Sequence, residues 1–209
     1  MRILSWNLYY RGGAAAADVA HLIHEYRPDL FLMQEVTLDI HELPEEVGGH
    51  FYRQPWRGKR YGLAVWARQP LRIRSLSLPY SRLPGKFPPR AAQVVEHDGI
   101  TVANVHLSHG QVLNRRQLRT IGRGVRGPMA IIGDFNAVGP VFVRGFRDVG
   151  PRRTTHYARE MVPFRLDRCL IRDLLVQRSE ALAWGASDHR PICMELDLSP
   201  SHHFAHEHS

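Results

Sequence analysis

The sequence predicts an α/β protein, two mixed β-sheets packed together with helices outside. Two observations carry this. The order strand, helix, strand occurs twice, and the strands of both units end in polar residues. The second unit contains the stretch that organises the chain, Ala130-Ile131-Ile132-Gly133-Asp134-Phe135-Asn136. Met129 to Ile132 is short, apolar and preceded by the turn pair Gly127-Pro128, as a buried strand is. Asp134 and Asn136 lie two apart at its C-terminal end and would point the same way from extended backbone. That edge of an open α/β sheet is where ligands sit; an Asx-rich turn that merely stops the strand is the alternative.

The elements follow in order. Arg2 to Trp6 is a strand with Asn7 at its end. Val19, Leu22, Ile23 and Tyr26 fall on one helical stripe, which Pro28 ends. Asp29 to Met33 is a buried strand closing on Gln34-Glu35. Asp39 to Gly49 reads as a short helix and loop. Phe51 to Arg60 interleaves aromatics with cations, and Trp56, Arg57, Lys59 and Arg60 are placed on a loop. Gly62 to Trp66 and Leu71 to Leu78 are strands split at Gln69-Pro70. Ala91 to Glu96 and Ile100 to Leu107 pair about His97-Asp98-Gly99. The strand Thr101 to Val105 ends in His106, and Leu118, Ile121 and Val125 stripe the next helix. After Asn136 a loop runs to Gly150, with Phe142 and Phe146 as packing residues. Arg165 to Ile171 is an interior strand containing Asp167. Ser187-Asp188-His189-Arg190-Pro191 precedes a last strand, Ile192 to Leu198.

At 209 residues and 44% hydrophobic, the chain can bury one substantial core. We read residues 1–199 as one catalytic domain and residues 200–209 as a histidine-rich, disordered tail. The formal charge is +8, carried almost entirely by arginine, whose planar fork suits phosphate. Cys169 and Cys193 lie on separate strand-like segments without metal spacing and read as free buried thiols. No leader precedes the first strand and no apolar run reaches the length of a membrane span, so a cytoplasmic protein is expected.

Jointly the polar strand ends form a cluster rich in oxygen and imidazole: Asn7, Glu35, His106, Asp134, Asn136, Asp188 and His189. Buried carboxylates must be paired or coordinate a cation. Oxygen donors without thiolate suit Mg²⁺, with Mn²⁺ as substitute, and such an ion polarises phosphoryl oxygens.

Ser5-Trp6-Asn7, Gln34-Glu35, Asn104-Val105-His106-Leu107, Gly133-Asp134-Phe135-Asn136, Arg165-Leu166-Asp167 and Ser187-Asp188-His189-Arg190-Pro191 occur in that order. In this the chain resembles the endonuclease/exonuclease/phosphatase superfamily, across nearly its whole length. The resemblance implies a four-layered α/β sandwich and metal-dependent phosphoester hydrolysis. It makes Glu35 the principal metal ligand, with Asn7 beside it and Asp188 completing a metal shell. His189 becomes the base toward water, or a phosphate ligand when protonated, oriented by Asp167. Asp134 and Asn136 position the nucleophile and a phosphate oxygen. His106 stabilises phosphate charge or protonates the leaving oxygen.

Exonuclease III-type abasic-site nucleases usually carry a tyrosine-bearing strand where this chain has His106. The histidine version looks like the pancreatic deoxyribonuclease, sphingomyelinase, inositol phosphatase and tyrosyl-DNA phosphodiesterase branches. A nuclease acting on DNA is therefore the leading expectation, with Trp56, Arg57, Lys59 and Arg60 as the substrate-binding loop. Trp56 either stacks on a sugar or base or packs on the core. The alternative substrate is a phospholipid, inositol phosphate or other small phosphoester, with Pro84 to Pro89 and Phe87 as the membrane-facing segment. A catalytically idle binding module on the same scaffold is a third reading, disfavoured because competent residues occupy every catalytic position.

Overall fold

The computed structural model describes residues 1–81, 89–158 and 161–200. β1 (Arg2–Asn7) passes through α1 (Ala16–Tyr26) to β2 (Leu30–Val36), which lies parallel to it. A 3-10 turn (Leu38–Glu42) and α2 (Leu43–Val47) lead to β3 (His50–Pro55), β4 (Gly62–Ala67) and β5 (Arg72–Ser77). β6 (Ala91–His97) and β7 (Ile100–His106) form a hairpin, and α3 (Gln111–Gly124) carries the chain to β8 (Met129–Asp134), parallel to β7. Among the described residues β9 (Arg147–Asp148), β10 (His156–Ala158), β11 (Val162–Phe164), β12 (Asp167–Arg172), β13 (Leu174–Ala181) and β14 (Ile192–Leu198) complete the set. The strands make two six-stranded sheets, ordered β13-β14-β1-β2-β4-β3 and β5-β6-β7-β8-β12-β9, beside a β10-β11 ribbon.

Period-two alternation builds the layers. Ile3, Leu30 and Leu32 of the first sheet meet Val102, Ala130 and Ile132 of the second in the central core. The intervening residues Leu4, Phe31 and Met33 face outward onto Val19 and Ile23 of α1. On the other side Ala103, Val105 and Ile131 meet Leu118 and Ile121 of α3. Helix, sheet, sheet and helix are thus the four layers. Local signals set the ends: α1 stops at Arg27 in the left-handed region, one residue before Pro28. The β6–β7 turn uses Asp98 and Gly99, both at positive φ, as a two-residue I′ hairpin requires.

Several expectations need correction. Phe142 is 83% exposed, and Val141 and Val143 take the buried positions beside Phe146. Aromatic character alone did not say which residues of an irregular loop turn inward. β3 takes up the aromatic-basic stretch as far as Pro55, and Trp56, Arg57, Lys59 and Arg60 lie on the loop before Gly62, where they were expected. β13 escaped sequence reading, because it is an edge strand with a bulge and alternates only weakly. Cys169 and Cys193 are buried and unpaired. No described helix is long and apolar enough to cross a membrane. Most of the Pro84 to Pro89 segment, with Phe87, and the tail from 201 lie outside the described residues.

Candidate active site

The inward faces of the central strands change character toward one end. Along β1 the inward residues run Ile3, Ser5, Asn7; along β7 they run Val102, Asn104, His106; along β8, Ala130, Ile132, Asp134. Midway, a neutral polar seam joins the sheets. The Gln34 amide donates to Ser5 Oγ at 3.1 Å and to Asn104 Oδ1 at 2.8 Å. Asn104 in turn donates to the Met33 and Ala64 carbonyls at 3.1 and 3.0 Å. Beyond the seam the sheets part around a cleft of about 380 Å³ lined by the predicted cluster.

Glu35 reaches this cleft through a backbone irregularity. Its φ is +57°, and the register between β2 and β4 slips between Gln34 and Val36. A regular strand would have sent Glu35 to the opposite face from Gln34. Asn136 also departs from extended backbone, with φ +47°. Its N–H donates to Asp134 Oδ1 at 2.8 Å, and its amide donates to Asp134 Oδ2 at 3.2 Å and to the Leu107 carbonyl at 3.0 Å. The Asx turn is therefore real, and the turn itself folds Asn136 back onto the site. Gln111 and Asn114 of α3 hold the Asn136 carbonyl at 3.0 and 2.9 Å.

The far end of the chain closes the cleft. Ser187 Oγ donates to the Asn7 carbonyl at 2.6 Å and accepts the His189 N–H at 3.1 Å, while Trp6 Nε1 donates to the His189 carbonyl at 2.8 Å. His189 Nδ1 then donates to Asp167 Oδ2 at 2.8 Å. Asp167 faces Asp134 across the β8–β12 pairing. Its N–H and that of Leu166 donate to Thr155 Oγ1 at 3.0 and 3.1 Å. Behind it, the Arg165 fork grips Asp148 with two 2.7 Å bonds, and Arg168 reaches Asp148 and the carbonyls of Ala137 and Gly139.

The electrostatics divide the two histidines. Burial works against the charged form of His189, but the Asp167 and Asp134 charges and the Asp167 hydrogen bond outweigh it and raise the imidazole to about 10. Burial, with the Arg90 charge, pushes His106 well below its ordinary value, so its ring is neutral. Burial also pushes the Glu35 carboxyl up, opposed by the Tyr10 N–H at 3.1 Å and reinforced by Asp134.

Sequence reasoning missed Arg90, Tyr61, Tyr10, His109 and His156, all lining the cleft. Arg90 is 6% exposed. Its guanidinium carbon lies 3.8 Å from the centre of the Trp56 ring, and its Nε and Nη1 have no partner among the described residues. Burial lowers its pKa to about 10, against the pull of Tyr61, Asp134 and Glu35. A lone arginine before a strand carries no pattern that singles it out.

Trp56 requires a correction. It is 4% exposed and packed by Arg90, Tyr61 and His106, so its ring is an internal support with no open face for a base. Arg57, Lys59 and Arg60 are exposed on the loop between Trp56 and Tyr61 and do not line the cleft itself. Asn7, Glu35, His106, Asp134, Asn136, Asp188 and His189 do line it, and Asp167 stands behind His189.

The donors fit a hard divalent cation. Carboxylates of Glu35, Asp134 and Asp188 and the carboxamides of Asn7 and Asn136 converge with no thiolate among them, the set Mg²⁺ or Mn²⁺ takes. Mutually repelling, desolvated carboxylates such as Glu35 and Asp134 gain from a cation between them.

The fold recurs in known structures. A functionally unknown conserved protein from Enterococcus faecalis V583 superposes with TM-score 0.77 at 20% identity, covering 95% of this chain and 100% of that one. An endonuclease/exonuclease/phosphatase from Bacteroides vulgatus gives 0.76 at 18% identity, covering 95% and 98%. TDP2 from C. elegans gives 0.67 at 17% identity, covering 92% and 74%. No curated protein matches the sequence. The family described as Endonuclease/Exonuclease/phosphatase matches residues 4–189. With that span, this chain belongs to the endonuclease/exonuclease/phosphatase family, whose members are phosphoesterase hydrolases.

Proposed function

We propose that this protein is a divalent-metal-dependent phosphodiesterase that hydrolyses nucleic acid, DNA foremost. The observation that supports it best is the meeting of Glu35, His106, Asp134 and the Asp167–His189 pair in one cleft. Glu35 would hold the metal with Asn7, and Asp188 would complete its shell; when bound, the ion supplies Lewis-acid polarisation of a phosphoryl oxygen. Asp167 fixes the His189 tautomer and leaves Nε2 toward the cleft. In its charged form His189 donates to a phosphate oxygen. Where Asp134 and Asp188 are engaged by a ligand, their pull on the imidazole weakens and it takes a proton from water. Asn7 and Asn136 hold the Asp134 carboxylate in place. Arg90 is buried, and its Nε–H and Nη1–H groups, without a partner among the described residues, are offered to a phosphate oxygen.

Nucleic acid is favoured by the +8 charge and by the exposed Arg57, Lys59 and Arg60 beside Tyr61 at the cleft wall. Tyr157, the residue after His156 on β10, forms an exposed aromatic pair with Trp184, ring centres 5.1 Å apart, a surface on which a base can stack. The runner-up is a phospholipid or other small phosphoester, favoured by the exposed Tyr80 and Val112 beside Gln111, whose amide supports Asn136. The two buried, unpaired thiols fit a reducing, cytoplasmic setting.

Duplex and single-stranded DNA, RNA, sphingomyelin, inositol phosphates and a generic aryl phosphodiester, each assayed with Mg²⁺ and with Mn²⁺, test the reading. DNA is expected to be cleaved fastest, and excess chelator to abolish the reaction. Full activity in chelator overturns the metal assignment. Lipid hydrolysis with intact DNA moves the conclusion to the runner-up.

A further inference from the structure

His156 has no part in the chemistry above, yet it is built against the catalytic histidine. It sits on the β10–β11 ribbon and forms an isolated antiparallel bridge with His189. Side chains at paired positions of such a bridge project to the same side, and the two imidazole centres lie 4.4 Å apart. Asp188 adds a carboxylate, its Oδ2 3.9 Å from His156 Nδ1; that nitrogen also meets the Asp188 carbonyl at 3.2 Å, a hydrogen bond that a metal on Nδ1 would displace and a metal on Nε2 would leave in place. One ligand atom from each of the three residues lies within 4.8 Å of the other two.

We propose that His156, Asp188 and His189 form a second metal site, sharing Asp188 with the Glu35 site and selective for a borderline transition-metal ion of the Zn²⁺ class, whose occupation silences the cleft. Two imidazoles and one carboxylate are a three-ligand set that Zn²⁺ uses, leaving a fourth position for water. Mg²⁺ prefers oxygen donors and dehydrates reluctantly, so it favours the Glu35 side of the cleft. Asp167 already accepts the Nδ1–H of His189 at 2.8 Å. That leaves Nε2 as the ligating nitrogen, in the carboxylate–histidine–metal order that orients ligands and raises their basicity. Zn–N distances near ~2.0 Å place donor atoms roughly 3.3 Å apart, so donors now within 4.8 Å of one another must close by up to about 1.5 Å. The Asp188 side chain is 36% exposed and has the freedom to make that movement. Once Nε2 is ligated, His189 can neither take a proton from water nor donate to phosphate. The binding part stands whatever the substrate is; only the inhibition rests on the phosphodiesterase reading.

Calorimetric titration of the full chain with Zn²⁺ under saturating Mg²⁺ tests it, comparing the parent with His156→Phe and His156→Asn. The phenylalanine keeps a ring against His189 and removes the ligand; the asparagine guards against a packing defect. Circular dichroism confirms that each is folded. Both variants are expected to weaken one Zn²⁺ event by at least about 10-fold, the loss seen when even an outer partner of a metal ligand is removed. The parent-minus-variant difference separates this site from the histidines near the C-terminus, which all three proteins share. Glu35→Gln should leave the Zn²⁺ event in place while weakening Mn²⁺ binding. Zn²⁺ should inhibit Mg²⁺-supported hydrolysis in the parent and inhibit less in His156→Phe. Equal Zn²⁺ affinity in parent and both variants, or loss of the Zn²⁺ event in Glu35→Gln, overturns the proposal. If no substrate is hydrolysed at all, the phosphodiesterase reading fails while the calorimetry still decides the site.

Discussion

One oxygen, Asp134 Oδ2, gathers four separate stretches of the chain. Asn7 and Asn136 donate to it at 3.1 and 3.2 Å, and the Nε2 atoms of His106 and His189 stand 3.4 and 3.9 Å away. The two histidines are not equivalent: His189 has Asp167 bonded to its Nδ1 at 2.8 Å, whereas His106 meets Asp134 and Glu35 through Nε2 alone and its Nδ1 has no partner among the described residues. Removing the His189 imidazole should therefore cost the chemical step directly. His189→Ala is expected to lower turnover by roughly 10²- to 10⁴-fold. Asp167→Asn should act on the same step, and the double variant should lose little more than His189→Ala alone. Single-turnover rates on the best substrate measure this; two independent, multiplicative losses would show that the residues do not work as a pair.

Strands deliver the site, and their irregular ends aim it. Glu35 depends on the β2 bulge, and Asp134 depends on the close approach of β7 and β8 at Gly133. There φ is +141°, and an added Cβ would stand 2.1 Å from the Val105 carbonyl oxygen. No side chain fits without separating the two strands, and the one-residue step to Asp134 passes any shift to the site. Gly133→Ala is expected to destabilise the fold by at least about 2 kcal/mol, a fall in Tm of roughly 4–8 °C for a chain of this size. Thermal unfolding by circular dichroism checks it, and an unchanged Tm would show that the strands adjust freely. Further from the cleft, α3 ends at Val125 in extended backbone. Arg172 of β12 reaches across, donating to the Gly122, Val125 and Gly127 carbonyls at 3.0, 2.7 and 2.9 Å.

Charge acts across the whole molecule in two ways. Inside, Asp148 links β9 to Arg165 and Arg168 of the segment that carries Asp167. Burial works to raise the Asp148 carboxyl, but the Arg165 hydrogen bonds and the charges of both arginines hold it below its ordinary value of 3.8. A carboxylate with a depressed folded pKa contributes stability that is whole above the unfolded value and fades as pH falls through the folded one. Asp148→Asn should thus be less stable than the parent at neutral pH, with the gap narrowing below about pH 4; denaturant unfolding across that range measures it. Outside, the exposed Arg57, Lys59 and Arg60 should meet phosphates. Replacing all three by alanine should weaken DNA binding and flatten the plot of log affinity against log salt by ~0.9 for each duplex phosphate that is no longer neutralised. Hydrolysis of a small aryl phosphodiester should hardly change, because the cleft is untouched. Parent-like binding at every salt concentration would remove this loop from the substrate path.

The amino-acid sequence carries the class of fold, the paired strand–helix–strand units and the order of the polar strand ends. These are local properties: period-two and period-3.6 alternation, turn residues, and short motifs such as Gly133-Asp134-Phe135-Asn136. It did not determine which face Glu35 would take, since a bulge is set by pairing with β4. Nor could it show that Trp56 is an internal support and Phe142 a surface residue. Both are aromatics in irregular chain, where no periodicity marks the inward side. Arg90, Tyr61 and His156 entered the site only through the tertiary structure, because what brings them to His106 and His189 is the packing of distant segments. The seam of Gln34 and Asn104 belongs with them: each amide is ordinary in its own strand, and the bonds between them and from Asn104 to the Met33 and Ala64 carbonyls form only when the two sheets close.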